Sequence, residues 1–322
     1  MKFIPITSLL IISLFSTNLF SQKIITTLEG SLKQPKDTVS HWAKKNTIGF
    51  DISEIAFVNW NAGGTSSVSG LLKTKFSRIY TTSNYNWSNE LIMRYGLNKQ
   101  DGVELRKSDD VFLFSSAFGY RKDTLSNWYH TAKFNFNTQF TNGYAYPNTE
   151  KTISSPFAPA YVFIGLGAEY ASKKKDELLY LSPFTSKMTF VLDQRLANQG
   201  AFGVTKAIYN TDGSLNKEGE KSKIELGFLL TGYYKKQVVK NVIMENRLSL
   251  YSDYINNFGN IDVDYNVAFD LVVNEYIRTN IGLHVIYDDD IKSKKNIDGE
   301  QVTLGAKTQF KQMLGVGVVY QF

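Results

Sequence analysis

One pattern limits the fold more than any other. Apolar and polar residues alternate with a period of two over long stretches, repeatedly along the chain. From Ile261 to Val273, the residues Ile261, Val263, Tyr265, Val267, Phe269, Leu271 and Val273 fall on one face. Asp262, Asp264, Asn266, Ala268, Asp270 and Val272 fall on the other. Neighbouring side chains of a strand point to opposite sides, so this segment is a strand with one apolar and one charged face. Ile277, Ile281, Leu283, Val285 and Tyr287 repeat the pattern against Arg278, Asn280, Gly282 and His284, after the break Asn274-Glu275-Tyr276. Ile224 to Tyr234, Val242 to Leu250, Trp128 to Phe140 and Tyr85 to Tyr95 read the same way. Further strands are expected near 47–58, 66–80, 110–121, 160–170, 178–191 and 308–322, about twelve in all.

The apolar faces need something other than water to meet. In a soluble sandwich turns come every 8–12 residues or so. Here the strands run to about 12–15 residues, and their opposite face is too charged to be a second core. A membrane-spanning strand needs about 9–11 tilted residues with ends that project beyond the lipid. Lipid supplies no hydrogen bonds, so spanning strands must close on themselves. The expected fold class is all-β: a transmembrane antiparallel β-barrel of about twelve strands, within a range of roughly 10–14. A hydrophobic content of 43% and a mean hydropathy of -0.23 exclude a bundle of membrane helices, which needs runs of about 20 apolar residues. The absence of Cys excludes a disulfide scaffold, a thiolate metal site and a lipid-bearing cysteine anchor. Acidic and basic residues are interspersed, so no nucleic-acid partner is expected.

The two ends agree with export to an outer membrane. Residues 1–21 read as a signal peptide, with Lys2 before an apolar core from Phe3 to Phe15 and cleavage near Ser21. A polar periplasmic lead-in is expected over 22–46 and a single barrel domain over 47–322. The gaps 81–84, 122–126, 171–177, 235–240 and 274–276 are short. Of those between them, 98–109, 141–159, 192–221 and 289–307 are long, and 59–65 and 255–260 are modest. Short periplasmic turns and long outside loops are the rule for outer-membrane barrels. Leu314, Val316, Val318, Tyr320 and Phe322 alternate to a terminal Phe. Val318, Tyr320 and Phe322 therefore look like the C-terminal signal read by the barrel-assembly machinery. Trp60, Tyr80, Trp87, Tyr120, Trp128 and Tyr234 fall towards strand ends, where interfacial girdles sit. The expected partners are outer-membrane lipid and lipopolysaccharide, with the assembly machinery during biogenesis; the oligomeric state stays open.

Several segments carry a family resemblance. They are Trp60-Asn61-Ala62-Gly63-Gly64, Tyr95-Gly96-Leu97-Asn98, Arg106-Lys107-Ser108-Asp109-Asp110, Phe140-Thr141-Asn142-Gly143-Tyr144 and Phe157-Ala158-Pro159-Ala160-Tyr161. A longer run goes from Leu181-Ser182-Pro183 through Phe190-Val191 to Ala201-Phe202-Gly203-Val204, and Tyr287-Asp288-Asp289-Asp290 follows. Together they resemble the Bacteroidota family known as domain of unknown function 3078, from about residue 46 to 322. The resemblance implies an exported envelope protein and assigns no catalytic role to any residue.

No catalytic residue, cofactor or metal ligand is expected, because no nucleophile motif, paired-carboxylate signature or zinc spacing stands out. The His residues are His41, His130 and His284, and His284 alone lies on the polar face of a long strand. Asp288, Asp289 and Asp290 admit a calcium reading, but a solvated loop with Lys292, Lys294 and Lys295 is preferred. Lys173, Lys174 and Lys175 read as a solvated turn. On the inward face the alternation places Glu90, Arg94, Lys133, Glu225, Glu245, Arg247, Asp262, Asp264, Asp270, Arg278 and His284. Charges of both signs either set ion selectivity or pair across the lumen and close it. In the loop 192–221, Arg195 and Phe202 are expected to narrow the pore, against the alternative of a merely exposed loop. The leading function is a narrow pore or uptake channel for small polar solutes. The alternative is a structural or surface-binding barrel with a closed lumen. An outer-membrane hydrolase dependent on His284 stands behind both.

Overall fold

The computed structural model describes residues 41–55, 66–172, 176–255, 258–288, 292–297 and 300–322. Twelve long strands follow one another along the chain. They are β1 (Trp42–Ile55), β2 (Ser67–Thr81), β3 (Tyr85–Gln100), β4 (Arg106–Tyr120), β5 (Trp128–Thr138) and β6 (Ala160–Ala171). After them come β7 (Glu177–Phe190), β8 (Ser222–Val239), β9 (Val242–Asp253), β10 (Asp262–Val272), β11 (Ile277–Tyr287) and β12 (Gln309–Gln321). Each pairs antiparallel with its neighbour in the chain, and β12 returns to β1, so the sheet is a closed barrel. The closing seam runs from Thr47 opposite Gln321 to Ile52 opposite Val316. At its lower end the Asn46 amide donates to the Phe322 carbonyl at 3.0 Å and the Phe322 amide to the Asn46 carbonyl at 3.1 Å. Closure leaves the barrel sheet without a free edge, as lipid requires.

Alternation sorts the faces. On β1, Ile48, Phe50 and Ile52 are exposed while Gly49 and Asp51 are buried. On β12, Leu314, Val316, Val318 and Tyr320 are exposed and Gly317 is buried. On β5, Tyr129, Thr131, Lys133, Asn135 and Asn137 are buried. Among the described residues nothing covers the outside of the barrel, so the buried face is the lumen and the exposed apolar face is the outer surface. An apolar belt of this extent around a closed barrel is the lipid-facing band of an outer-membrane protein. Aromatic rings mark both borders. At the end that holds the chain terminus, Trp42 packs on Tyr80 and Trp87 with ring centroids 5.3 and 6.0 Å apart. Tyr85 meets Tyr120 at 5.2 Å and Trp128 meets Tyr170 at 5.5 Å in the same girdle. At the opposite end Phe112 contacts Phe140 at 5.6 Å and Phe136 contacts Phe157 at 6.2 Å. Trp60 lies outside the described residues.

The turns near the terminus are tight, which makes that end periplasmic. Asn241 turns the chain from β8 into β9 at φ 64, a left-handed conformation that Asn tolerates. Between β10 and β11 the Asn274 side-chain oxygen accepts from the Tyr276 and Ile277 amides at 2.9 and 2.8 Å.

The structure departs from expectation at several boundaries. β1 begins at Trp42, inside the stretch expected as lead-in, because Trp42 joins the aromatic girdle and pairs with Tyr80. Residues 1–40, expected as a signal peptide and most of the lead-in, lie outside the described residues. The gap expected over 98–109 shrinks to 101–105, since Leu97 pairs with Lys107 and Asn98 with Arg106 beyond a bulge at Gly96. Polarity there ends the apolar alternation without ending the hydrogen-bond ladder. Pro183 sits inside β7, where its missing N–H is absorbed by a bulge against both neighbours. Ser182 donates to the Leu166 carbonyl at 2.9 Å, and Thr185 donates to Ser182 at 2.8 Å. Ser182 and Thr185 consequently both face the lumen despite their odd spacing.

Candidate functional site

The lumen holds charged side chains, and those expected there from the sequence are paired. Glu90 takes Lys75 at 3.0 Å, and Arg94 takes Asp109 at 3.0 Å. Lys133 is bound to Glu169. Glu225 accepts Lys223 at 3.2 Å and Lys187 at 3.5 Å. Glu245 binds Lys235 and lies 3.7 Å from Arg247. Asp270 meets Arg278 at 2.6 Å, and Asp264 meets the His284 ring at 2.8 Å. Nearly all of these pairs join residues of one strand or of adjacent strands, so they run along the wall instead of across the bore. Lys187 on β7 is the exception: it also reaches Asp262 on β10 at 3.4 Å, past β8 and β9.

Filling is uneven around the barrel. From β5 to β9 the inward residues are large, and Tyr161, Phe163, Tyr180, Leu229 and Tyr251 form one buried cluster. The Lys133 ammonium lies 4.3 Å from the Tyr180 ring centre and that of Lys187 lies 5.1 Å from Tyr251, so rings cover both cations. From β10 through β12 to β3 the inward positions include Ala268, Gly282, Gly315, Gly317 and Gly49, which leave room beside the wall. Gly317 also lets Asp51 lie flat, because a Cβ there would stand 2.0 Å from Asp51 Oδ1.

A cavity of about 280 Å³ opens in the outer half of the lumen. Its walls include Arg94, Asn137, Tyr161, His284 and Lys311 from the barrel, and Tyr144 from the loop that follows β5. That loop turns inward. Gly143–Tyr144 pairs with Thr152–Ser154 as a small hairpin, with Gly143 and Ser154 buried. The close approach needs glycine, since a Cβ on Gly143 would lie 2.3 Å from Ser154 Oγ. Asp110 anchors it, accepting from the Phe140 and Thr141 amides at 2.8 and 2.9 Å. The Lys107 ammonium donates to the Thr141 carbonyl at 3.0 Å, and the Lys107 amide donates to the Tyr146 hydroxyl at 3.1 Å. Two family-like segments, Arg106–Asp110 and Phe140–Tyr144, are therefore one device: an anchor and the hairpin it holds.

This corrects the expectation for Arg195 and Phe202. Phe202 is buried in a small core with Ala158, Val191, Leu196, Ala197 and Val204, within and beside its own loop. Arg195 lies on the short helix α1 (Gln194–Asn198) and donates from Nη2 to the Thr152 carbonyl at 2.6 Å and to Thr152 Oγ1 at 2.5 Å. Neither side chain lines the cavity. The loop after β7 gathers its apolar residues into that core outside the bore, and Arg195 braces the inward hairpin from outside. The signal for the correct loop lay in Gly143, a glycine between strand and loop aromatics.

Other singled-out residues have plain positions. Ser249 pairs across from Asp264, and His284 adjoins Asp264 from the other side. Asp264 thus lies between Ser249 and His284, whereas a serine triad needs His in the middle. Asp288 is buried, not solvated, at 1% exposure. His130 is exposed on the outer face of β5. Asp289, Asp290 and Lys173 to Lys175 lie outside the described residues.

Residues 52–144 match the family described as Protein of unknown function (DUF3078), the one that the sequence resembles. No curated protein matches the chain. Among solved structures the chain is similar to an outer membrane channel from Pseudomonas putida F1, at 11% identity and a TM-score of 0.41, over 89% of this chain and 100% of that one. It is also similar to the translocator domain of the autotransporter NalP from Neisseria meningitidis, at 9% identity and 0.38, over 88% and 90%. The NanC porin matches at 10% identity and 0.33, over 85% and 98%.

Proposed function

We propose that this outer-membrane barrel is a narrow channel for small polar solutes. One observation carries the reading: the charged side chains between β10 and β3 stay partly hydrated at every level of the bore. Arg278 near the periplasmic end is 32% exposed, Lys73 and Lys75 in the middle 28% and 35%, and Arg94 near the outer end 37%. Lys133 and Lys187 in the packed half are 4% and 1% exposed. A continuous line of wetted charges is what a conducting lane needs.

The test is single-channel recording from the refolded chain in a planar bilayer. Discrete steps are expected, with an ion preference set by the exposed charges. Insertion of folded barrels without steps would reject the channel. The second reading is a closed barrel whose loops bind at the surface, and the buried aromatic cluster with the inward hairpin favours it. Export through residues 1–21 and recognition of Val318, Tyr320 and Phe322 by the barrel-assembly machinery belong to the same proposal. Its support is the outward, unshielded position of those three residues at the closing seam, where Tyr320 stacks on Phe322 at 5.7 Å.

A further inference from the structure

The outer cavity contains buried polar atoms that the protein itself does not satisfy. Asn137 on β5 and Tyr161 on β6 are register partners, each 3% exposed, and both line the cavity. Neither Asn137 Oδ1 nor the Tyr161 hydroxyl has a hydrogen-bond partner among the described residues. Buried polar groups of this kind are normally paired, so an exception that faces a cavity points to something that enters it. On the β11–β12 side, Lys311 stands opposite His284 in the ladder and also lines the cavity. The other lining cations are neutralised: Arg94 by Asp109 at 3.0 Å and Lys107 by Asp110 at 2.9 Å. His284 is engaged by Asp264 at 2.8 Å. Lys311 has no ion-pair partner among the described residues, so of the lysines and arginines lining the cavity it is the one left to meet an anion.

We propose that this cavity is a binding site for a small hydroxylated monocarboxylate. Its carboxylate meets Lys311, and its hydroxyls donate to Asn137 Oδ1 and accept from the Tyr161 hydroxyl. Tyr144 and Tyr146 of the inward hairpin supply flat apolar surface for the carbon chain. About 280 Å³ is near the lower limit for small-molecule pockets and suits a molecule of monosaccharide size. Lys45 supports passage of such an anion to the other end. It lies on β1 at the periplasmic end and has no ion-pair partner among the described residues, with Lys75, Lys235, Arg278 and Glu90 within electrostatic reach. A negative solute leaving the cavity therefore meets one further cation without an ion-pair partner below it.

The inference deepens the channel reading and rests on it for its biological meaning, but the site is tested separately. Titration calorimetry of the refolded full chain in detergent, with D-gluconate as probe, reads binding without any need for conduction. Gluconate is expected to bind, with D-glucose and butyrate each weaker by roughly tenfold or more because one lacks the charge and the other the hydroxyls. Lys311→Ala and Tyr161→Phe should each weaken gluconate by about tenfold while the folded band in a heat-modifiability gel is unchanged. Tyr161→Phe removes one oxygen from an otherwise identical ring, so its fold is secure even if Lys311→Ala misfolds. No heat with gluconate, or equal heats in the wild type and Tyr161→Phe, would overturn the site and leave water as the partner of these oxygens. Binding without conduction would overturn the channel and keep the site; conduction without binding would do the reverse.

Discussion

From β5 to β9 the inner wall carries Tyr161, Phe163, Tyr180, Leu229 and Tyr251, whereas from β10 round to β3 it carries Ala268, Gly282, Gly315, Gly317 and Gly49. Both arcs belong to one closed sheet, with the same alternation and with charge pairs along each. They differ in the bulk of the residues between the charges, and bulk decides how much water reaches a pair. Lys187 with Glu225 and Asp262 is sealed among rings, while Lys73 with Asp51 at 2.6 Å keeps 28% of its lysine side chain in contact with solvent. A sealed pair is held by low dielectric and is costly to break; a wetted pair is screened and cheap. The packed arc is therefore a structural spine, and the open arc is the one left to the proposed channel.

The comparison breaks most visibly at Lys187. Lys187→Ala leaves Glu225 and Asp262 without their shared cation and should cost about 3–5 kcal/mol, read as a shift in urea unfolding of the barrel in lipid vesicles. Lys73→Ala, in the open arc, should cost about 1 kcal/mol or less in the same assay. Equal losses would mean that the two arcs do not differ. The inner and outer faces are separated next: Phe269→Arg places a charge on the lipid side and should cost about 2–4 kcal/mol if it lies near the midplane. Its neighbour Asp270→Asn keeps a polar group beside Arg278 and should change stability by about 1 kcal/mol or less. Tolerance of Phe269→Arg would reverse the assignment of faces.

Bulk itself can be moved. Gly282 faces the open lane, and a Cβ added there would meet nothing nearer than Met313 Cβ at 3.7 Å. Gly282→Trp should therefore fold and lower single-channel conductance by roughly half or more. Gly227 faces the packed arc, where an added Cβ would stand 2.2 Å from the Ser252 carbonyl oxygen. Gly227→Trp should accordingly abolish the folded gel band. Unchanged current in a folded Gly282→Trp barrel would move the lane elsewhere. The smallest effect is expected at Arg195. Arg195→Ala frees Thr152 and should raise open-channel noise, with stability altered by about 1 kcal/mol or less, because the bond is exposed. Noise that does not change would mean that the hairpin is held by Asp110 and Lys107 alone.

Much of this was open to reading along the chain. Ile261 to Val273 declared both faces of β10, and the pairing of Asp270 with Arg278 follows from two inward residues on adjacent strands. The family-like segments were visible as words without a meaning. Arg106–Asp110 and Phe140–Tyr144 lie about thirty residues apart, and only their meeting at the barrel rim makes one the anchor of the other. Arg195 and Phe202 misled because a long loop with one cation and one aromatic reads the same whether it enters a bore or packs on itself.

The sequence by itself determined the closed barrel, a strand number near twelve and the sidedness of its residues. Period-two alternation is a local property, and lipid leaves only one way to satisfy the resulting strands. The tertiary structure alone decided which arc of the lumen is filled, which loop turns inward and which buried oxygens face a cavity. Those outcomes depend on residues that sit on non-adjacent strands, or on loops that meet only after closure. Tyr161, Lys311 and Gly143 come together through the curvature of the wall, and nothing in their spacing along the chain encodes that distance.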